Sequence, residues 1–80
     1  MKKTKDKITR YIDGDFIIEI VESENEFEAW IGHRNYGVFA EMFAVPKEQL
    51  ENTITQEEFR DMVVADLDRH KSIYQEEYMD

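Results

Sequence analysis

The sequence predicts an α+β domain: an antiparallel β-meander of three or four strands, with one long C-terminal α-helix packed on one face of the sheet. Three observations lead there. Short runs of β-branched and aromatic residues, split by polar turns, fill the chain up to Pro46. A capping box at Thr55 and Glu58 then opens a stretch with apolar groups three and four apart. Within the strands, alternation sorts carboxylates to one side and small or aliphatic residues to the other.

The elements follow in order. Residues 1–7 are basic, polar and without apolar period, the composition of a disordered basic tail, which leaves residues 8–80 as the single folded domain. Ile8 to Ile12 and Phe16 to Val21 flank the turn dipeptide Asp13-Gly14, so this region holds one strand or a hairpin. Ser23 to Glu26 is a polar turn, Phe27 to His33 a strand, and Arg34-Asn35-Tyr36-Gly37 a turn in which Asn35 or Gly37 can take a positive φ. Val38 to Val45 is the next strand; Pro46 ends it and begins a polar connection, Lys47 to Thr53. The helix starts at Gln56, with Ile54 and Phe59 placed as a hydrophobic staple. Its stripe is Phe59, Met62, Val63, Leu67, His70, Ile73, Tyr74 and Tyr78, and acids crowding the negative end of its dipole should fray the last turn.

Strict alternation puts Phe16, Ile18, Ile20, Phe27, Ala29, Ile31, Val38, Ala40, Met42 and Ala44 on one face. The small Ala29, Ala40 and Ala44 let a helix approach, whereas the opposite face would bury Glu19, Glu28 and Glu41 unpaired. The helix is therefore expected on the alanine face. Ile17, Val21, Trp30, Phe39 and Phe43 are then left on a face with no second layer, an apolar patch of the kind that marks an interaction site.

Residues 1–10 carry five bases and one acid, while residues 11–80 carry eighteen acids and five bases, a formal charge of −13 on the body. Such a body repels nucleic acid and anionic membrane and attracts a basic protein surface. The absence of cysteine rules out disulfides and leans towards the cytoplasm. The longest apolar runs are far too short to span a bilayer, so no membrane association is expected.

Catalytic inventory is thin: two histidines, two serines and no cysteine. His33 at a strand end and His70 on the helix stripe suit packing. Asp66 and His70, four apart, lack the second ligand pair a metal site needs. The acids from Asp66 to Glu77 echo a calcium loop, but Lys71 stands where the sharp turn requires glycine. The glycines have no phosphate-cradling spacing. No catalytic residue, cofactor or metal is expected.

The function expected is a non-catalytic protein-binding module for a basic partner, homodimerisation included. Its binding residues would be Trp30, Phe39 and Phe43 with Glu19, Glu28 and Glu41, joined by Arg34 and Tyr36 of the polar turn. The alternative is a nucleic-acid mimic of phage or mobile-element type, such as an anti-CRISPR or anti-restriction protein. It would block a basic groove through the carboxylate row Glu22, Glu24, Glu26 and Glu28.

Overall fold

The structure, a computed structural model, describes residues 7–49 and 54–79. Strands β1 (Lys7–Asp13), β2 (Phe16–Glu22), β3 (Glu26–His33) and β4 (Tyr36–Pro46) form one antiparallel sheet in the order β1-β2-β3-β4. A 3₁₀ turn, Lys47–Gln49, follows; helices α1 (Gln56–Ala65) and α2 (Leu67–Tyr74) and a π-helical turn, Gln75–Met79, complete the described chain. The meander thus has four strands, because the Ile8 segment pairs with β2 along its whole length from Lys7↔Glu22 to Asp13↔Phe16. Of the expected tail, residues 1–6 lie outside the described residues and Lys7 opens β1. Positions 50–53 of the polar connection also lie outside them.

Local chemistry sets the turns. β1 and β2 are joined by Gly14 and Asp15 alone, and Gly14 takes φ 64° at the first central position, as a type II′ hairpin requires. In the next turn Ser23 donates its amide to the Glu26 carbonyl at 2.9 Å. The β3–β4 turn differs from expectation: neither Asn35 nor Gly37 has a positive φ. Instead the Asn35 amide donates to His33 Nδ1 at 3.1 Å and the Arg34 amide to the Asp15 carbonyl at 2.9 Å, which ties this turn to the first hairpin.

The helical region is capped as the sequence requires. Glu58 N–H donates to Thr55 Oγ1 at 3.1 Å and Thr55 N–H to Glu58 Oε1 at 2.9 Å, closing the box. One long helix is not formed, however. At Asp66 the backbone leaves helical geometry, φ −113° and ψ 9°, and its amide bonds the Val63 carbonyl at 3.1 Å. A side-chain clamp accompanies the break: Asp66 accepts from Arg69 Nη2 at 2.6 Å and Nε at 3.0 Å and lies 3.1 Å from His70 Nε2. Asp is a weak helix former with a carboxylate suited to such local bonds, and Val63 and Val64 precede it. The buried stripe runs through the break as Phe59, Val63, Leu67, His70 and Tyr74, while Met62, Ile73 and Tyr78 at its margins are exposed. The last turn, expected to fray, is wound as the π-helical turn.

The core lies between the helices and the sheet face carrying Phe16, Ile18, Ile20, Phe27, Ala29 and Ile31, as alternation in β2 and β3 required. Alternation misplaces half of β4. Ala29 faces Phe43, yet Trp30 faces Glu41, so Met42 is an extra residue in a β-bulge. Parity reverses beyond it. Phe43 and Val45 join the helix side, where Phe43 lies 5.6 Å from the Phe59 ring and 6.0 Å from His70. Ala44, expected beneath the helix, is exposed opposite Glu28. Val38 is exposed too, after a second register shift at Gly32/His33. The bulge lets Met42 and Phe43 both fill volume under the helices, which the lone methyl of Ala44 would leave empty. Two long-range hydrogen bonds fasten the helices: Thr9 Oγ1 to Gln56 Oε1 at 2.7 Å and Tyr74 Oη to the Val38 carbonyl at 2.7 Å.

Candidate interaction face

The sheet face opposite the helices has no layer over it among the described residues. Cross-strand pairing arranges it in three rows running across the strands. The row nearest the two hairpin turns is Ile12, Ile17, Gly32 and Phe39, wholly apolar across all four strands. The middle row is Arg10, Glu19, Trp30 and Glu41. The third is Ile8, Val21, Glu28 and Ala44, with Glu26 beyond Glu28 on the same side.

Each row has its own physical logic. In the first, the Phe39 ring folds across Gly32 so closely that a Cβ there would stand 2.8 Å from three ring carbons. Glycine is what permits the ring to lie flat on the sheet. Beside Ile12 and Ile17 a shallow depression of about 200 Å³ is closed by Gly14, Asp15 and Arg34. In the middle row Arg10 donates from both Nε and Nη2 to a single oxygen, Glu19 Oε2, an ion pair across the first two strands. The Trp30 indole N–H donates to Glu28 Oε1 at 3.0 Å, which fixes the ring on the sheet and orients the carboxylate. Glu26, Glu28 and Glu41 gather on the β3–β4 half. The hydrogen bond shared with Glu28, partial burial and the charges of Glu28 and Glu41 push the Glu26 carboxyl above its usual value.

Of the residues expected to bind a partner, the fold therefore brings Trp30, Phe39, Glu19, Glu28 and Glu41 together. Phe43 is not among them, since the bulge turns it to the core. Arg34 and Tyr36 sit at the turn end: Arg34 Nη1 lies 3.4 Å from Asp15 Oδ1, and the Tyr36 ring packs edge-on to His33 at 5.1 Å, on the helix side. The carboxylate row proposed for mimicry is divided. Glu22 faces the helix side and is paired to Lys47 Nζ at 2.9 Å, Glu24 stands in the turn, and Glu26 and Glu28 lie on the open face. Ile8, Arg10 and Ile12 belong to the face as well, beyond the expected set, because the sequence leaves one strand or a hairpin open for this region. Their signal was present: Ile8-x-Arg10-x-Ile12 mirrors Ile17-x-Glu19-x-Val21 across the Asp13-Gly14 turn.

Both histidines are buried in packing. His33 lies edge-on to Phe16 at 5.1 Å, and His70 is held between Phe43 and Asp66. No group of three histidine or carboxylate side chains could hold a metal among the described residues. No helix among them is long and apolar enough to cross a membrane. No protein-family model, curated protein or solved structure matches the chain.

Proposed function

We propose that the protein is a small, acidic, non-catalytic binding module that docks a partner protein on the open sheet face. The observation that carries this reading is the conjunction on that face: an apolar row through Ile12, Ile17 and Phe39, a pinned Trp30, and four carboxylates, Glu19, Glu26, Glu28 and Glu41, of which Glu19 is paired to Arg10. An aromatic anchor ringed by acids suits a partner with an apolar protrusion set in basic surface. Rigid presentation lowers the cost of binding, because Trp30 and Phe39 are already held in place.

The test compares capture by the wild type with capture by Trp30→Ala and Phe39→Ala at low and high salt. A partner retained by the wild type in high salt, and lost with both variants although their far-UV circular dichroism is unchanged, supports the reading. Equal retention by the variants sinks it. Mimicry of a nucleic acid is favoured by a different observation, the mutual crowding of Glu26, Glu28 and Glu41. On that reading capture fails steeply between about 50 and 200 mM salt and DNA or RNA competes for the partner.

A further inference from the structure

The two edges of the sheet are not alike. β4 carries two register shifts and ends on Pro46, features that keep an edge strand from pairing with another chain. β1 has neither: its seven residues pair with β2 without a shift. The strand closes on a two-residue hairpin, so Asp13 and Phe16 exchange hydrogen bonds, and every second pair away from the turn does the same. The amides and carbonyls of Ile8, Arg10 and Ile12 are thereby aimed away from the sheet. Ile8 and Ile12 are also the two most exposed large hydrophobic residues described, at 63% and 62%.

The strand Lys7-Ile8-Thr9-Arg10-Tyr11-Ile12-Asp13 is complementary to itself read backwards. Laid antiparallel on a second copy about a twofold axis at Arg10, Ile8 meets the second copy's Ile12, Thr9 meets its Tyr11, and Lys7 meets its Asp13. In this phase, and not in one shifted by a single residue, the outward amides and carbonyls of residues 8, 10 and 12 face one another. We infer that β1 is a self-pairing edge, through which two copies join into one eight-stranded antiparallel sheet with both open faces on the same side. Arg10 meets its own copy, which is unfavourable for bare charges. Each guanidinium is already held by Glu19, so the axis brings together two ion pairs. This inference goes beyond the docking reading and neither needs the other: an edge dimer leaves Trp30 and Phe39 open.

Charge exchange tests it. Sedimentation equilibrium of the wild type should show a reversible dimer, and Lys7→Glu and Asp13→Lys alone should each weaken it about tenfold or more, since each sets like charges opposite one another twice. An equimolar mixture of the two variants should recover dimer, because the exchanged charges are again complementary. A wild type that stays monomeric, variants that dimerise as well as the wild type, or a mixture without recovery overturns the inference. Asp13 also pairs with Lys71 at 2.7 Å, so circular dichroism is recorded for Asp13→Lys, and where it departs from the wild type Lys7→Glu alone decides the charge test. A second variant is independent of that pair: in this cysteine-free chain Arg10→Cys places its thiol on the axis, about 5.5 Å between Cα atoms, within disulfide reach. Oxidation should give a covalent dimer with Arg10→Cys and none with Glu41→Cys; the reverse outcome, or equal yields, refutes β1 pairing.

Discussion

Phe43→Ala, set beside Phe39→Ala, tests the consequence of the bulge at Met42. Phe43 is half-buried between Phe59 at 5.6 Å and His70 at 6.0 Å, so truncation opens a cavity under α1 and α2. A fully buried phenylalanine costs about 3–5 kcal/mol when cut to alanine, and partial burial scales this to about 2–3 kcal/mol. Phe39 is 38% exposed and lies on the open face, where its ring can be removed without leaving a void, at about 1 kcal/mol or less. Urea unfolding followed by circular dichroism at 222 nm and by Trp30 fluorescence measures both, with the slope m expected to stay constant. Ala44→Lys completes the set: it points outward opposite Glu28 and should change stability by less than about 0.5 kcal/mol. If strict alternation held instead, Phe39→Ala and Phe43→Ala would cost alike and Ala44→Lys would be severe. That pattern would refute the bulge and the face assignment built on it.

Thr55→Ala removes the acceptor for the Glu58 amide and should lower stability by about 1 kcal/mol in the same urea assay. Gly32 Hα protons, lying under the Phe39 ring, should resonate well upfield in proton NMR and return to ordinary shifts in Phe39→Leu; no change would mean the ring lies elsewhere. The Arg69 guanidinium, assisted by His70, holds the Asp66 carboxyl below the usual carboxylate range, so its contribution is present above about pH 4 and is lost as pH falls through the lowered value. The stability gap between wild type and Asp66→Asn should accordingly be constant at neutral pH and close in acid; a gap that widens in acid would show the sign to be wrong.

Much of this architecture was legible because the deciding signals are local. The box at Thr55 and Glu58 states where the helix begins, and alternation in β2 and β3 separates Ile18, Ile20 and Ala29 from Glu19 and Trp30 without outside help. The failures share a cause. Whether β4 spends one extra residue at Met42 depends on the space beneath Phe59, which lies on another element, and no pattern within Val38 to Val45 records it. The break at Asp66 is similar: the apolar stripe passes through it without a change of phase, so periodicity reports one helix where the backbone makes two. For the open face, sequence reasoning found Trp30, Phe39, Glu19, Glu28 and Glu41. Ile8, Arg10 and Ile12 fall outside that set because a segment of five residues reads as strand or extended chain alike until the mirrored pattern across the Asp13-Gly14 turn is weighed.

The order β1-β2-β3-β4 also governs how the chain is made. Every sheet contact joins a strand to its neighbour in sequence, so hairpins can close one after another as the chain leaves the ribosome, with little loop entropy to overcome at each step. The helices come last, and they supply Phe59, Val63, Leu67 and Tyr74 to the core. Until they emerge, Ile18, Ile20, Phe27 and Ile31 lie uncovered, and a nascent sheet with that apolar face open is the form most exposed to aggregation and to chaperones.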